Sequence, residues 1–523
     1  MLSDLAARRA RDHRDDPFCL FEDQVITFGD LDAAANRLAN GLAGTGIGAG
    51  DRVAVMLPSH PDHIYTLLAL AKLGATHVPI NVHEKASGIG HLLVHAEIGA
   101  LIADGRYQAE LAPALSGARS VDTVVWRGGT PASTVRRSLK LEALVAAGSS
   151  QAPRGEPDPG SLAMVLYTSG TTGAPKGVMV TDKMYQTAAK NAGIAADVRP
   201  GDVLFLWEPL HHIAGVQTVI LCLQQGVSCA LVEKFSASRF WDQARRYRAT
   251  QIHYLGGVLG LLLKQPERPD DAKHSVRIAY GAPAPPDFWL RFEKRFGVRI
   301  HECYGMTEAS SFTTINLWGK VGSIGKPVEE LEVRIVDEND RPLPPGAVGE
   351  IVLREREPGC VMTGYWNDGE GTRVALRNGW LHTGDLGSRD AEGFYYFGGR
   401  QKDTIRCRGE NVSAWVVERA VSAFPDVQEC AVIGVPSDLG EEEIKVFVRP
   451  VAARKVDPQA LIRWCEERLA YFQVPRYVQL VDQFPKTPSE RIRKAELSRS
   501  VECWDRETEH GQPRGGGRGE RYP

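Results

Sequence analysis

The chain has 523 residues, enough for two or more domains, and its 62 basic and 65 acidic residues give a net charge of −3. This near balance excludes the broad positive field of a typical nucleic-acid-binding protein. No apolar run is as long as a membrane span, and the charged N-terminus lacks the apolar core of a signal peptide. Nine scattered cysteines without a C-x-x-C pair indicate reduced thiols, predict a cytoplasmic protein and argue against a zinc site.

Helical and strand patterns alternate along the first part of the chain. The pattern predicts helices over 28–42, 63–73 and 238–247, and strands over 52–57, 75–80, 162–166, 178–180, 228–232 and 251–254. This alternation is typical of an α/β fold with mostly parallel sheets.

Further along, the pattern changes twice. Short strands over 333–336, 349–353 and 394–397, separated by turn residues, predict a small β-rich subdomain. After Gly399 the pattern restarts with helices over 415–423 and 460–469 and strands over 430–435 and 445–451. We therefore expect an α/β protein whose large N-terminal domain is followed by a small α+β domain of about 100 residues. The Gly/Arg-rich end, 506–523, is expected to be disordered.

A loop rich in glycine and hydroxyl residues lies between the predicted strands over 162–166 and 178–180. Its sequence, YTSGTTGAPKGVMVT, spans 167–181. Glycines let the backbone approach an anion closely, and successive N–H groups and hydroxyls can surround phosphate oxygens. The spacing differs from a Walker A motif, because Pro175 precedes Lys176 and Gly177 stands where Ser or Thr would hold magnesium. The loop nevertheless suits a triphosphate.

Residues 167–177 resemble the phosphate loop of the adenylate-forming (ANL) superfamily, which includes acyl-CoA synthetases and aryl-CoA ligases. The resemblance covers about the first 500 residues. It continues in the expected order through YGMTE at 304–308, TGD at 383–385, GRQKD at 399–403, RGEN at 408–411 and PKTP at 485–488. The resemblance implies an adenylation domain over 1–399, a hinge over 400–403 centred on Lys402, and a mobile lid domain over 404–505.

The resemblance also implies a role for each motif residue. The β- and γ-phosphates of ATP are expected to contact the loop residues Thr168, Ser169, Gly170, Thr171, Thr172, Gly173 and Lys176. Tyr304 and Gly305 are expected at the adenine, Thr307 at the α-phosphate, and Glu308 on Mg²⁺, which prefers oxygen ligands. Asp385 is expected to accept the ribose hydroxyls, and Arg400 to reach the ribose or a phosphate. The segment Gly281-Ala282-Pro283 is expected to line the adenine and acyl pockets.

His212 resembles a family histidine beside the acyl pocket, where it could orient a carboxylate or shuttle a proton. The acid pocket is expected near His212, 254–260 and 309–311.

The chain departs from the family near its C-terminus. Family members carry a glycine-lysine pair after Pro-x-Thr, whereas this chain has Glu490 and Arg491. Arginine keeps the positive charge but presents a planar fork and not a compact ammonium. Either Arg491 serves in place of the lysine, or Lys494 or Lys486 reaches in, or adenylation is weak and the acid is unusual.

The resemblance as a whole implies ATP- and Mg²⁺-dependent activation of a carboxylic acid as an acyl adenylate, followed by transfer to the thiol of coenzyme A. One alternative is an adenylating enzyme with another acceptor, such as an amine or a carrier-protein thiol, or with an unusual acid such as nitrite. A second alternative is a degenerate homologue that binds nucleotide without turnover.

Overall fold

The computed structural model describes residues 1–129, 136–155, 157–158, 160–168, 175–255, 257–407, 410–437, 442–487 and 491–509. The predicted phosphate-binding residues Ser169, Gly170, Thr171, Thr172 and Gly173 lie outside the described residues, as do Glu490 and 510–523. In the part of the chain that is described, no helix is both long and apolar enough to cross a membrane.

The helices are distributed along the whole chain. In order they are α1 Leu2–Asp12, α2 Phe28–Ala43, α3 Pro61–Leu73, α4 Ala86–His95, α5 Gln108–Gly117, α6 Leu141–Ala147, α7 Asp182–Ala195, α8 Ile213–Gln225, α9 Phe240–Arg246, α10 Val258–Leu263, α11 Pro286–Phe296, α12 Gly369–Ala375, α13 Ala414–Ser422, α14 Pro458–Glu466 and α15 Arg506–Glu509.

The strands of the first half of the chain alternate with these helices. They are β1 Pro17–Phe21, β2 Gln24–Thr27, β3 Arg52–Met56, β4 Thr76–Pro79, β5 Ala100–Asp104, β6 Thr123–Arg127, β7 Arg137–Lys140, β8 Leu162–Thr168, β9 Lys176–Thr181, β10 Val203–Leu206, β11 Ser228–Leu231, β12 Gln251–Leu255 and β13 Ile278–Ala282.

The strands of the second half vary more in length and more often follow one another directly along the chain. They are β14 Arg299–Met306, β15 Ser311–Asn316, β16 Lys326–Pro327, β17 Leu331–Val336, β18 Gly349–Glu355, β19 Leu376–Arg377, β20 Trp380–Arg389, β21 Tyr395–Arg400, β22 Thr404–Cys407, β23 Glu410–Ser413, β24 Val427–Pro436, β25 Glu442–Pro450, β26 Tyr477–Leu480 and β27 Trp504–Asp505.

Two large sheets form the body of the protein. One has the order β7-β6-β5-β3-β4-β8-β9 and is parallel except for β9, which runs antiparallel to β8. The other has the order β16-β15-β14-β13-β12-β10-β11-β1-β2, with a parallel centre and antiparallel strands at both edges. A continuous apolar core joins strands from both sheets through α7 and α8. The expectation of an α/β fold with mostly parallel sheets is confirmed.

The remaining strands form smaller sheets. Strands β17 to β21 build an antiparallel sheet, which is the β-rich subdomain expected from the sequence. After β21, the sheet β24-β25-β26-β27 packs with α13 and α14 around a separate apolar core. One expectation is wrong at its boundary: the chain end expected to be disordered from 506 begins with helix α15, because Arg506 follows strand β27 directly.

Local sequence fixes the start of α8, which matters for the site below. His212 is in an extended conformation and accepts a hydrogen bond from the Ala214 N–H, so it caps the helix N-terminus. Gly226 ends the helix with φ of 67°, a left-handed conformation that favours glycine. The helix is nearly all apolar because it is buried between the two large sheets.

Candidate active site

The two ends of the phosphate loop are held together by a strand pair. Strands β8 and β9 run antiparallel, and Thr168 lies directly opposite Lys176. The Lys176 ammonium lies 4.7 Å above the ring of Tyr365 and 3.8 Å from an Asp368 carboxylate oxygen. The pairing therefore anchors the loop at its base and places one positive charge beside it.

Glu308 lies close to this positive charge. It belongs to a short 3₁₀ turn, Thr307–Ala309, and both Thr307 and Glu308 are buried. The Tyr365 hydroxyl donates a hydrogen bond to Glu308 Oε1 at 3.0 Å. Burial raises the pKa of Glu308, against the opposing effects of hydrogen bonds and Arg400. A buried carboxylate of this kind attracts a cation, so the donor type and the surroundings fit the Mg²⁺ that the sequence motif implies.

Tyr304, Asp385 and Arg400 form a second cluster. The Tyr304 hydroxyl donates to Asp385 Oδ2 at 2.7 Å, and Arg400 Nε lies 3.3 Å from Asp385 Oδ1. Asp385 and Arg400 are direct neighbours across strands β20 and β21. Burial raises the pKa of Asp385, while Arg400, Tyr304 and Arg491 act in the opposite direction. This carboxylate is an acceptor placed to bind hydroxyl groups in a largely dry site.

Two glycines bring backbone segments close together beside this cluster. A Cβ on Gly281, whose φ is 145°, would lie 1.9 Å from the Tyr254 carbonyl oxygen, and a Cβ on Gly305 would lie 1.6 Å from the Ser311 carbonyl oxygen. Each position therefore accepts glycine alone. The segment Gly281-Ala282-Pro283 ends strand β13, and Ala284 is fixed by hydrogen bonds from its N–H to the Glu302 carboxylate.

A hydrogen bond to the backbone fixes the tautomer of His212. Because its Nδ1 accepts the Ala214 N–H at 3.2 Å, the neutral ring carries its proton on Nε2. Burial lowers the pKa of His212 to about 3, and the nearby Arg491 and His253 act in the same direction. At neutral pH the side chain is a neutral hydrogen-bond donor, which favours orientation of a carboxylate over proton shuttling.

Glu208 and His253 form a buried side-chain contact near His212. His253 Nδ1 is 2.5 Å from Glu208 Oε1, and both side chains are inaccessible to solvent. The His253 ring also packs against Tyr280 and Phe312, with ring centroids 4.8 and 5.9 Å apart. The sequence does not predict that Glu208, Tyr280 and Phe312 contact His253, because a single polar or aromatic residue in a strand pattern gives no sign of its partners.

Arg491 comes from the C-terminal domain. Its positive charge acts to lower the pKa of both Asp385 and His212, two residues of the N-terminal domain. By surface area Arg491 is exposed, yet the protein atoms around it and the like charge of Arg400 lower its own pKa. Arginine retains its proton despite such a shift.

The other two candidates for this role are engaged elsewhere. Lys494 lies 2.9 Å from Glu418 Oε1 and 3.6 Å from Asp403 Oδ2, which ties the C-terminal domain to the end of the hinge segment. Lys486 forms an ion pair with Glu429. Lys402 itself lies in the exposed 3₁₀ turn Gln401–Asp403, directly after strand β21. The geometry therefore favours Arg491 over Lys494 and Lys486.

The segment 364–368 is a part of the site that sequence analysis missed. Tyr365 contacts Lys176 and Glu308, and Asp368 lies near Lys176. The Trp366 N–H donates to the Gly177 carbonyl at 2.7 Å, which fastens the segment to strand β9. A Gly-Tyr-Trp string between a strand and a helix was the available signal, but a turn of this composition is common.

The two large parts of the chain match known sequence families. Residues 6–366 match the family described as AMP-binding enzyme, and residues 416–491 match the AMP-binding enzyme C-terminal domain. The chain belongs to the AMP-binding enzyme family. The resemblance to the adenylate-forming superfamily is thereby confirmed.

Relatives of this AMP-binding enzyme have named activities. Over 506 residues, covering 95% of this chain and 97% of the relative, it is 33% identical to a sulfoacetate–CoA ligase of Cupriavidus necator strain H16. The anthranilate CoA ligase AuaEII, solved with anthranoyl-AMP, superposes with a TM-score of 0.86 at 25% identity, covering 94% of this chain and 95% of that chain. The o-succinylbenzoate CoA synthetase of Bacillus subtilis, solved with ATP and magnesium, superposes with a TM-score of 0.81 at 26% identity, covering 94% and 98%. The protein is an AMP-forming acid–CoA ligase of the acyl-CoA or aryl-CoA ligase type.

Proposed function

We propose that this ligase uses ATP to activate a small carboxylic acid and then passes the acyl group to coenzyme A. In the first step a carboxylate oxygen forms a bond to the α-phosphorus, and the bond from that phosphorus to the pyrophosphate oxygen breaks. In the second step the coenzyme A thiol, losing its proton, forms a bond to the acyl carbon, and AMP leaves with the electrons of the broken C–O bond.

The cluster around Asp385 and the cluster around Lys176 each bind one part of the nucleotide. Asp385 accepts the ribose hydroxyls, and Arg400 keeps this buried carboxylate ionised. Tyr304 holds Asp385 in place through its hydroxyl. Lys176 provides positive charge where the pyrophosphate leaves, and the Tyr365 ring and Asp368 fix the position of its ammonium.

Glu308 is the residue that would hold a magnesium ion. A bound magnesium neutralises charge on the phosphates and polarises the phosphoryl oxygens. Tyr365 orients the Glu308 carboxylate through its hydrogen bond.

The acid is oriented between His212 and Arg491. The two reacting groups are both anions, so their approach is unfavourable without a positive charge between them. Arg491 supplies this charge, and the Nε2–H of His212 donates a hydrogen bond to the carboxylate oxygen that does not attack. In these roles neither Arg491 nor His212 transfers a proton.

The observation that carries the proposal is the buried Asp385 carboxylate, which the Tyr304 hydroxyl and the Arg400 guanidinium hold in place. The Arg491 charge acts on His212, beside the proposed acid pocket, and on Asp385, at the proposed ribose site. Both substrates would therefore react beside one cation of the C-terminal domain.

The test is a screen for pyrophosphate release over a panel of acids, with and without coenzyme A. The panel includes short acids with a second anionic group and aryl acids, since the relatives named above act on both kinds. We expect one class of acid to give AMP and acyl-CoA, identified by mass spectrometry. Asp385→Ala should raise the apparent Michaelis constant for ATP about tenfold or more, because the ribose hydroxyls lose their acceptor and an unpaired buried hydrogen-bond donor costs about 1–3 kcal/mol. Release that coenzyme A never accelerates would instead indicate an amine or a carrier-protein thiol as acceptor. ATP binding without release would indicate a homologue without turnover.

A further inference from the structure

Lys264 connects the two domains at a point separate from the hinge. It directly follows α10 in the N-terminal domain, and its ammonium donates hydrogen bonds to the backbone carbonyls of Val427 and Gln428 in the C-terminal domain. These two residues begin strand β24. The contact spans more than 160 residues of sequence and joins two bodies with separate apolar cores.

Burial of this ammonium is costly. Its removal from water lowers the pKa of Lys264 to about 8, against the opposing effects of Cys430 and Glu429, and the nearby Arg291 adds to the lowering. A lysine on the open surface would avoid this desolvation cost. The backbone carbonyls compensate part of this cost only while the two domains keep this orientation.

The same edge of the C-terminal domain holds the segment that carries Arg491. Glu429 follows Gln428, and its carboxylate pairs with Lys486 and lies 2.9 Å from Arg449. Lys486 in turn forms an antiparallel bridge with Ile492.

Hydrogen bonds within this segment fix the backbone of Arg491. The Thr487 N–H donates to the Arg491 carbonyl at 2.7 Å, and the Arg491 N–H donates to Thr487 Oγ1 at 3.1 Å. A continuous set of contacts thus links Lys264 to the backbone of Arg491.

The contacts near the hinge attach the C-terminal domain at one place. Near the hinge, the Ser413 hydroxyl donates to the Gly398 carbonyl at 2.8 Å, and the rings of Phe397 and Trp415 pack edge to face. A body attached at one place can rotate about that place, whereas a second attachment fixes its angle. Lys264 provides the second attachment.

We propose that Lys264 is a positioning residue for the first half-reaction, holding the C-terminal domain in the orientation that brings Arg491 to the acid and the α-phosphate. This inference rests on the proposed function, because it assigns the orientation to adenylate formation. The family resemblance implies that the domain rotates before coenzyme A attacks, so we expect the second half-reaction not to need Lys264.

The kinetic test compares Lys264→Met, Lys264→Arg and the control Lys273→Met, which changes an exposed lysine of the same domain. Methionine keeps the apolar stem and removes the charge. We expect Lys264→Met to slow pyrophosphate release by about 100-fold, the scale of a misplaced catalytic group, with little change in the Michaelis constants for ATP and acid. Transfer from added acyl adenylate to coenzyme A should stay at the wild-type rate, and Lys264→Arg should recover most of the first step. Equal losses in both half-reactions, or no loss in either, would overturn the assignment.

A second measurement does not depend on activity. Trypsin should cleave the hinge after Arg400 or Lys402 faster in Lys264→Met than in the wild type or in Lys273→Met, because a released domain lets the exposed turn unfold into the extended conformation that a protease binds. Equal cleavage rates in all three proteins would show that Lys264 does not hold the domain. If the wild type makes no acyl-CoA but the cleavage rates differ, the proposed function fails while the attachment stands.

Discussion

At the scale of single residues, an arginine stands where relatives of this fold are expected to use a lysine. A guanidinium is larger than an ammonium and presents a planar fork of donors, so it can contact carboxylate and phosphate oxygens together. Its position beside Asp385 and His212 is consistent with that use. Lys494, three residues further along, is held by Glu418 and Asp403, and we propose that it stabilises the hinge end of the domain.

Arg491→Ala is expected to slow adenylate formation by about two to three orders of magnitude, the effect of losing one donor to the transition state. Arg491→Lys should keep part of the rate because the charge remains. The matched control is Arg493→Ala, whose guanidinium pairs with Glu496 at 3.0 Å. Single-turnover pyrophosphate release measures the effect. A large loss in Lys494→Ala, with little in Arg491→Ala, would transfer the role to the lysine.

His212 gives a prediction about pH. Since its pKa is lowered to about 3, it stays neutral through the range in which an ordinary histidine, with a pKa of 6.5, would titrate. The rate of adenylate formation should therefore show no ionisation of His212 near pH 6.5, while His212→Ala should slow the reaction at every pH. An inflection near 6.5 in the wild type that disappears in His212→Asn would contradict the neutral-donor role.

At the scale of elements, strand β21 and the turn after it connect the site to the C-terminal domain. Arg400 is the last residue of β21 and pairs with Asp385, while Lys402 lies two residues beyond on an exposed turn. Asp403 is held by Lys494. The segment between these two anchored residues is short, and we propose that it is the hinge about which the C-terminal domain rotates.

Replacement of Lys402 by proline should slow thioester formation more than adenylate formation, because proline fixes φ near −65° and restricts rotation at the hinge. Lys402→Ala removes the side chain without this restriction and is the matched control. The two half-reactions are measured separately, with pyrophosphate release for the first and added acyl adenylate for the second. Equal slowing of both by proline would place the hinge elsewhere.

At the scale of the whole molecule, buried histidines make the fold sensitive to acid. His63 and His77 are each about 1% exposed, and their rings lie 5.7 Å apart. Burial lowers the pKa of His63 to about 4 and that of His77 well below its ordinary value. Below pH 6.5 the unfolded chain therefore binds more protons than the folded protein, so the free energy of unfolding falls as the pH falls.

The expected loss from His63 alone is about 3 kcal/mol between pH 6.5 and its folded-state value. The denaturation midpoint in urea, measured across this range, should fall with acid in the wild type. His63→Gln should weaken this dependence, whereas His91→Gln, at an exposed position, should leave it unchanged. The same slope in all three proteins would show that His63 does not bind the proton on unfolding.

The sequence by itself determined the fold class, the order of the motifs and the family. Strands such as β3 and helices such as α2 are visible in a single chain, because hydrophobic periodicity of two or 3.6 residues reflects burial of one face. Gly281 and Gly305 stand in motifs that the sequence alone reveals, whereas the reason for each glycine, the close approach of Tyr254 and of Ser311, is visible only in the tertiary structure.

The tertiary structure decided which charged groups meet. Contacts between residues far apart in sequence place Tyr365 and Asp368 in the site and hold Lys494 away from it. Lys264 illustrates the same point: a lysine at the end of a short helix carries no local signal, and its contact with Val427 exists only when two domains pack in one orientation. Electrostatic contacts between separate elements depend on three-dimensional distance, and no periodicity of the chain encodes that distance.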